Sequence, residues 1–208
     1  MRSVCAIVVA AGKGERLKSK TPKPLVKIAG KPLIFYSLFC LSRHGSVKEI
    51  IVVANKDNLS GIKKLIRTFN IRKVKAVVLG GRLRQDSVAS GLAQVSKNAE
   101  LVLIHDAARP FISPRLITLL LAKAAKTQAA ILGIPVKATI KRSFLTRAED
   151  RFVKETLNRE ELWEIQTPQA FNKKLILEAY QKYAKYAVTD DASLVEKIGK
   201  RVNLVEGS

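Results

Sequence analysis

The 208-residue sequence is 47% hydrophobic and 26% charged, which is typical of a globular protein with a sizeable core, and we expect one domain over residues 1–208. It contains no apolar run of the roughly 20 residues that a membrane span needs, and its first strand pattern begins too early for a signal peptide, so we expect a cytoplasmic protein or the mature protein of an organelle stroma. The net charge is +21, but the basic residues are scattered and no base-stacking motif accompanies them. The charge therefore favours small anionic substrates, and nucleic-acid binding is the minor alternative.

Short apolar runs alternate with amphipathic segments along the chain. The apolar runs predict five strands: Val4–Ala10, Glu49–Ala54, Lys75–Leu79, Glu100–Ile104 and Ala129–Ile134. The amphipathic segments predict four helices: Pro32–Ser42, Leu59–Phe69, Gln85–Val95 and Pro114–Lys126. Continuously apolar strands separated by helices are typical of a mostly parallel sheet covered on both faces, and we expect such an α/β fold. Its ligands should bind beyond the carboxyl ends of the strands.

The first predicted strand runs into a turn of small residues that carries the first functional signal. Ala11, Gly12 and Gly14 leave room for a ligand against the backbone, whose N–H groups can form a concave anion site in such a turn. Three cations follow at Lys13, Arg16 and Lys23. The spacing fits neither a Walker A loop nor the three-glycine dinucleotide fingerprint. It predicts a phosphate-binding loop of another type, and the residues alone leave a plain strand-to-helix turn as the alternative.

Two later strand ends carry similar signals. Gly81 follows the third strand where a helix begins, with Asp86 or Ser87 as a cap, and a helix start attracts anions. Asp106 ends the fourth strand, where a carboxylate can hold Mg²⁺ against a triphosphate. A helix cap is the alternative for Asp106, and we expect a structural role for His105.

The stretch from Arg142 to Asn158 is polar and charged, and it alternates at Phe152–Leu157 as a two-stranded ribbon would. Because a lone hairpin is marginal in water, the ribbon must pack on a partner subunit or on the body of its own chain. Further along, Thr189 is placed to be the N-cap of a helix with acidic residues in its first turn.

The opening loop, Ala-Ala-Gly-x-Gly-x-Arg-Leu followed by Pro-Lys-Pro-Leu, resembles that of sugar-phosphate nucleotidyltransferases. Five further motifs follow in order: Gly-Gly-x-x-Arg-x-x-Ser-Val, His-Asp-Ala-Ala-Arg-Pro, Pro-Val-x-x-Thr-Ile-Lys, Leu-Trp-x-x-Gln-Thr-Pro-Gln-x-Phe and Thr-Asp-x-Ala-Ser. Together they resemble the 2-C-methyl-D-erythritol 4-phosphate cytidylyltransferase family of the non-mevalonate isoprenoid pathway over essentially the whole chain. The related ribitol-5-phosphate cytidylyltransferases tend to have Val where this sequence has Ala108, so the methylerythritol enzymes are the better match.

The resemblance implies a Rossmann-like three-layer sandwich with a protruding β-ribbon arm at about 139–158, and a homodimer formed through that arm. It also implies Mg²⁺-dependent transfer of the cytidylyl group from CTP to methylerythritol phosphate. The implied catalytic cations are Arg16 and Lys23. The implied cytidine contacts are Ala10, Ala11, Gly12, Gly14, Gly81 and Ser87. The implied substrate contacts are Asp106, Arg109, Thr139, Arg159 and Thr189, with Asp106 also the metal ligand.

One feature of the family pattern has no counterpart in the sequence. Members usually continue with Asn-x-Lys-x-Thr, whose lysine binds the substrate phosphate, whereas this sequence ends at Ser208. A charge-assisted contact contributes roughly 1.5–3 kcal/mol, so we expect the 208-residue chain to bind CTP normally and methylerythritol phosphate weakly. Another cation, such as Lys141 or Lys200, is the alternative donor.

Overall fold

The computed structural model describes residues 2–12, 14, 21–147, 149–183, 186 and 188–208. The strands in these residues are β1 (Val4–Val9), β2 (Lys27–Ile28), β3 (Lys31–Pro32), β4 (Val47–Ala54), β5 (Val74–Leu79), β6 (Leu101–Asp106), β7 (Ala129–Pro135), β8 (Lys141–Leu145), β9 (Arg151–Thr156), β10 (Trp163–Asn172) and β11 (Asn203–Glu206). The α-helices are α1 (Leu33–Arg43), α2 (Leu59–Thr68), α3 (Arg84–Leu92), α4 (Pro114–Thr127), α5 (Lys173–Tyr183) and α6 (Ala192–Lys197). Each of the predicted strands and helices is present, with ends displaced by a few residues. None of these helices is long and apolar enough to cross a membrane.

The main sheet of the described residues has seven strands in the order β11-β7-β10-β6-β1-β4-β5. Strand β1 pairs in parallel with both β4 and β6, β4 pairs in parallel with β5, and β7 with β11. Strand β10 runs antiparallel to both of its neighbours, β6 and β7. The prediction of a mostly parallel sheet is confirmed, with one reversed strand inside it.

Side chains of β1 alternate between two buried layers. Val4, Ala6 and Val8 pack in a core with α1, α2 and α4, whereas Ile7 packs in a second core with α3, α5 and α6. Because both faces of the strand are buried, its sequence is apolar at every position rather than at alternate ones. Helices therefore cover both faces of the sheet, and the expected three-layer sandwich is confirmed.

Strand β1 lies where the strand order changes direction. The chain passes from β1 outward through β4 to β5, and then returns to place β6 on the other side of β1. Parallel strands end at the same edge of the sheet, so the residues that follow β1, β4, β5 and β6 converge there. Such a switch point opens a crevice for ligands.

The expected ribbon consists of β8 and β9, an antiparallel pair whose residues are all exposed. Arg142 pairs with Glu155 across it, and the rings of Phe144 and Phe152 stack at 6.0 Å. Both phenylalanines remain about half exposed. The ribbon thus keeps an apolar surface in solvent, which the packing of this single chain does not bury.

Helix α6 starts later than the sequence predicts. Thr189 is not its N-cap, because Asp191 occupies that position and the first turn contains no acidic residue. The side chain of Asp190 accepts from the backbone N–H of Ser193 at 3.2 Å and from Gln169 Nε2 at 2.8 Å. These bonds keep the chain before Ala192 out of the helix.

Gly91 provides a test of how closely α3 packs on the sheet. An added Cβ there would lie 2.6 Å from Ile7 Cγ2 and 3.1 Å from Val53 Cγ2. Overpacking costs about 1–3 kcal/mol, of which the better helix propensity of alanine offsets about 1 kcal/mol, so we expect Gly91→Ala to lower the free energy of unfolding by up to about 2 kcal/mol. Urea unfolding measures this difference. Gly45→Ala, where an added Cβ meets no atom within 4 Å, should change it by less than about 0.5 kcal/mol, and equal effects of the two substitutions would contradict the packing argument.

Candidate active site

A cavity of about 600 Å³ lies at the carboxyl ends of β1, β4, β5 and β6. Its walls come from the loop after β1, the loop after β4, and the turn between β5 and α3. The structure brings all the predicted cytidine contacts to this cavity: Ala10, Ala11, Gly12, Gly14, Gly81 and Ser87. A volume of this size is in the range of small-molecule sites in proteins.

Two asparagines after β4 hold the loop after β1 in place. The buried Asn58 donates through Nδ2 to the carbonyl of Ala10 at 2.8 Å, and Asn55 Nδ2 donates to the carbonyl of Ala11 at 3.2 Å. Asn58 Oδ1 in turn accepts from the backbone N–H of Asn55 at 3.0 Å. The polar groups that follow two neighbouring strands therefore satisfy one another and fix the floor of the cavity.

Lys23 opens the 3-10 turn Lys23–Leu25 and lines the same cavity. Gly14 packs against its stem, since an added Cβ at that position would lie 3.0 Å from Lys23 Cβ. Gly14 also has a φ of +67°, which side chains disfavour. Glycine is thus required where the loop meets the lysine. The other two predicted cations of this loop, Lys13 and Arg16, lie outside the described residues.

The turn between β5 and α3 is capped by its own side chains. Asp86 Oδ2 accepts from the backbone N–H of Leu83 at 2.9 Å, and Ser87 Oγ donates to the carbonyl of Leu83 at 3.1 Å. The predicted capping is confirmed. It leaves Gly81 and the start of α3 facing the cavity.

Asp106 lies between this cavity and a second one of about 460 Å³. Arg84 Nε donates to Asp106 Oδ1 at 3.1 Å, and Arg109 Nε lies 4.0 Å from Oδ2. The carboxylate is 29% exposed, so it remains accessible to a ligand from either side. It does not cap a helix, and its position between the two cavities favours the expected role as a substrate contact or metal ligand.

His105 points away from the cavities into a buried network. Its Nε2 lies 3.0 Å from the carbonyl of Arg109 and 3.2 Å from Ser37 Oγ, and its Nδ1 lies 3.2 Å from Thr167 Oγ1. Thr167 Oγ1 also accepts from the backbone N–H of Asp106 at 3.1 Å. Burial lowers the pKa of His105 to about 4, so the ring is neutral at pH 7. Its role is to hold the loop from Asp106 to Arg109 in place, as the expected structural role implies.

The second cavity contains polar groups from β10 and from the start of α6. Two of the predicted substrate contacts, Arg109 and Thr189, line it together with Asp106. Thr167, Gln169 and Ser193 add further polar side chains. The cavity therefore offers two cations, Arg84 and Arg109, and several hydroxyl and amide groups beside the carboxylates of Asp106, Asp190 and Glu196.

The remaining two predicted substrate contacts do not line either cavity. Thr139 is exposed between β7 and β8, and Arg159 Nη1 donates to the carbonyl of Lys137 at 3.3 Å at the base of the ribbon. Both lie at the base of the ribbon, just before β8 and just after β9, and outside the two cavities that Asp106 lines.

Several residues of the site were given no role by the sequence. A polar residue directly after a buried strand is a usable signal, and it would have identified Asn55, whereas Asn58 lies four residues beyond the end of β4. Arg84 stood in the recognised Gly-Gly-x-x-Arg pattern, but nothing local showed that it reaches Asp106. Its second partner, Asp191, lies more than one hundred residues away and leaves no trace in the local pattern.

The donor groups fit Mg²⁺ only in combination with a substrate. In the part of the chain that the structure describes, no cluster of three or more His, Cys, Asp and Glu side chains can hold a metal. Mg²⁺ is commonly bound by one or two carboxylates together with substrate phosphates and waters. Asp106 can supply such a carboxylate beside a triphosphate in the larger cavity.

Comparison with known proteins gives one consistent family. The family model of 2-C-methyl-D-erythritol 4-phosphate cytidylyltransferase matches residues 4–208. The enzyme of that name from Clostridium botulinum strain Langeland is 44% identical over 204 residues, which are 97% of this chain and 87% of the relative. The enzyme of that name from Clostridium novyi is 44% identical over 211 residues, with 100% of this chain and 89% of the relative covered.

Solved structures agree with the sequence matches. The 4-diphosphocytidyl-2C-methyl-D-erythritol synthase of Anaerococcus prevotii superposes with a TM-score of 0.85 at 33% identity, covering 100% of this chain and 88% of that one. The 2-C-methyl-D-erythritol 4-phosphate cytidylyltransferase of Thermus thermophilus gives a TM-score of 0.75 at 30% identity, covering 100% and 90%. The likeness therefore covers the whole chain.

His105 makes stability depend on pH. Its pKa is about 4 in the folded chain against an ordinary 6.5, so the unfolded chain binds more protons between these values. The contribution of the neutral His105 ring to the free energy of unfolding is complete above about pH 6.5 and is lost as the pH falls towards 4. We expect the wild type to lose about 2 kcal/mol of unfolding free energy from this residue between pH 7 and pH 5, and His105→Gln to lack that loss.

Urea unfolding of both proteins at the two pH values measures the difference. His44→Gln serves as the matched control: burial and the neighbouring Lys73 also lower the pKa of His44, but the residue is only partly buried, so this substitution should remove less of the pH dependence than His105→Gln. Parallel pH profiles for wild type and His105→Gln would show that the histidine is not held neutral by burial.

Proposed function

Because the chain belongs to the 2-C-methyl-D-erythritol 4-phosphate cytidylyltransferase family, we propose that it joins CTP and 2-C-methyl-D-erythritol 4-phosphate in the non-mevalonate isoprenoid pathway, releasing pyrophosphate. The observation that carries this proposal is the position of Asp106 on the wall shared by two cavities. The larger cavity has the volume and the small-residue loop that a nucleotide needs. The smaller one has two arginines, Arg84 and Arg109, and hydroxyl groups that suit a polyol phosphate.

The reaction needs positioning more than proton transfer. An oxygen of the methylerythritol phosphate forms a bond to the α-phosphorus of CTP, and the bond from that phosphorus to the oxygen of the leaving pyrophosphate breaks. The attacking oxygen is already ionised near neutral pH, so no general base is required. What the site must supply is alignment of two anions and fixed positive charge around the α-phosphate.

The residues of the larger cavity suit this task. We assign Lys23 to the α-phosphate, with Arg16 beside it on the strength of the sequence pattern. The backbone around Ala11 and Gly12 approaches the nucleotide closely because it carries little side chain. Gly81 and Ser87 form the opposite wall, where the start of α3 faces the ligand.

The smaller cavity receives the acceptor substrate. Arg109 is placed to bind its phosphate and Thr189 to bind a hydroxyl group. We assign Asp106 to two roles, a contact to the acceptor and a ligand to Mg²⁺. When bound, Mg²⁺ would neutralise charge on the triphosphate oxygens and so assist departure of pyrophosphate.

We also propose that residues 1–208 form one catalytic domain and that the chain works in the cytoplasm as a homodimer through the ribbon. The half-exposed Phe144 and Phe152 give the ribbon an apolar surface that a partner can cover. Thr139 and Arg159 lie at its base rather than beside Asp106, and in a dimer they would reach the partner's acceptor cavity. An isologous pairing of two ribbons would supply both sites at once.

Pyrophosphate release from CTP with a panel of polyol phosphates tests the proposed reaction. We expect turnover with methylerythritol phosphate and at least tenfold lower kcat/KM with ribitol 5-phosphate. Preference for ribitol 5-phosphate would assign the chain to the related activity instead. No release with any polyol phosphate, together with tight binding of RNA, would favour the nucleic-acid-binding alternative.

Replacing Lys23 removes a fixed cation from the reacting centre. We expect Lys23→Ala to reduce kcat by about two orders of magnitude or more, by analogy with losing one oxyanion donor, and Arg16→Ala to behave in the same way. Thermal unfolding should be little changed, because Lys23 lies on a surface turn. Lys56→Ala, at the mouth of the same cavity, is the matched control and should reduce kcat much less. Wild-type turnover in folded Lys23→Ala would exclude the catalytic role.

Removing the charge of Asp106 tests its assignment as a metal ligand. We expect Asp106→Asn to raise the Mg²⁺ concentration for half-maximal activity, because a neutral amide oxygen binds the ion more weakly than a carboxylate. Titration of activity with Mg²⁺ at saturating CTP measures this. An unchanged Mg²⁺ profile with an altered KM for methylerythritol phosphate would leave Asp106 as a substrate contact alone.

Shortening the ribbon tests the dimer. We expect replacement of residues 144–152 by a two-residue turn to yield monomers whose affinity for methylerythritol phosphate is reduced, while the affinity for CTP is retained. Light scattering gives the mass and calorimetry the two affinities. A shortened chain that stays dimeric would place the interface elsewhere.

A further inference from the structure

A buried carboxylate at the start of α6 is connected to the site through a single arginine. Asp191 is 1% exposed, and its Oδ1 accepts from the hydroxyl of Tyr180 at 2.5 Å. Its Oδ2 lies 2.9 Å from Arg84 Nη2. The same guanidinium donates through Nε to Asp106 Oδ1 at 3.1 Å. A continuous chain of polar contacts therefore runs from α5 through α6 and α3 to the end of β6.

The charges along this chain make it stiff. Burial alone would lower the pKa of Arg84, but the carboxylates of Asp191 and Asp106 outweigh burial and raise it. Arg84 is therefore a permanent cation between two acids. A guanidinium is a rigid plane, so the ion pair of Nη2 with Asp191 also restricts the direction of the Nε–H towards Asp106.

Resting on the proposed function, we propose that Tyr180, Asp191 and Arg84 are positioning residues that hold the Asp106 carboxylate in its reactive orientation. Tyr180 lines neither cavity, and it is 6% exposed in the core between α5 and the sheet. Its influence on the reaction can pass only through its contacts. Arg84 lines both cavities, so this chain of polar contacts ends where the two substrates would meet in the proposed reaction.

Asp106 needs such a support because its other contacts are weaker. Arg109 Nε is 4.0 Å from Oδ2, which is beyond hydrogen-bond distance, and Arg109 is assigned to the acceptor phosphate. Without Arg84, the carboxylate would be free to turn towards Arg109 and would compete with the substrate for that cation. The polar contacts through Arg84 thereby keep the Asp106 carboxylate away from Arg109.

The same chain connects the acceptor cavity to Asp106. Asp191 is the N-cap of α6, and its neighbour Asp190 is held by Gln169 Nε2 at 2.8 Å. Thr189, which is assigned to the acceptor, precedes this pair. A shift of Asp191 would therefore move Thr189 and Arg84 together, and with them both sides of the acceptor cavity.

The first measurement reads the geometry itself and is independent of activity. In a ¹⁵N spectrum of arginine Nε–H groups, the Arg84 resonance is identified by its loss in Arg84→Lys. We expect slow hydrogen exchange in the wild type, at least tenfold faster exchange in Asp191→Asn, and an intermediate rate in Tyr180→Phe. Unchanged exchange in folded Tyr180→Phe and Asp191→Asn would overturn the proposal.

The second measurement reads the consequence for the reaction. We expect Tyr180→Phe to lower kcat by about three- to tenfold with KM for CTP changed less than twofold, because substrate contacts are kept and only the alignment of a reacting group is lost. In the Asp106→Asn background, Tyr180→Phe should have no further effect on kcat, since the group that it positions has been altered. Equal effects in both backgrounds would mean that Tyr180 acts only through general stability, and would also overturn the proposal.

Tyr36→Phe is the matched control. The Tyr36 hydroxyl also donates at 2.5 Å, to the carbonyl of Ile28, and Tyr36 lines neither cavity. We expect wild-type kcat and wild-type Arg84 exchange in this variant.

Arg84→Lys should lower kcat although it keeps the positive charge, because a lysine ammonium cannot bridge two carboxylates with fixed geometry. If the wild type shows no cytidylyl transfer while Arg84 exchange responds as expected, the proposed reaction fails and the positioning chain stands.

Discussion

The structure depends on the placement of one carboxylate between two cations at the edge of the sheet. In the proposed reaction, two anionic substrates would meet at Asp106, which is itself anionic, so the local charge would have to be offset by fixed donors. Arg84 and Arg109 flank the carboxylate, and Lys23 lies across the larger cavity. The net charge of +21 adds to this local effect over the whole surface, because a positively charged protein attracts anions towards its clefts.

The sheet explains why these groups can be held so closely. Strand β1 is apolar at every position, and β4 and β6 at most positions, because helices cover both of their faces, whereas the edge strand β5 is less deeply buried. Parallel strands of this kind end together, so the residues that follow them meet without any long-range signal in the sequence. This is why Gly12, Gly81 and Asp106 could be placed at one edge from the sequence alone. The reasoning needed only the strands and the rule that their carboxyl ends converge.

Other parts of the site could not be predicted in this way. Apolar periodicity indicates that a strand exists but not which strands become its neighbours, so the insertion of β10 between β6 and β7 left no local trace. The same holds for Asp191, whose partner Arg84 is distant in the chain. The start of α6 was predicted wrongly at Thr189 because a Thr followed by acids is a common cap pattern. The bond from Gln169 that holds Asp190 outside the helix is tertiary, so the local sequence does not reveal it.

Strand β10 is what makes the two cavities one site. Its Thr167 accepts from the backbone of Asp106 and contacts His105, while its Gln169 holds Asp190 and the backbone N–H of Ala192. One reversed strand therefore fixes the end of β6 and the start of α6 relative to each other. The larger cavity, which we assign to the nucleotide, is built on β1 and β4, and the smaller one, which we assign to the acceptor, on β10 and α6. These elements all belong to one hydrogen-bonded sheet or are bonded directly to it. A reaction without a covalent intermediate obtains its rate from alignment, and alignment is best maintained when both substrates rest on the same rigid element.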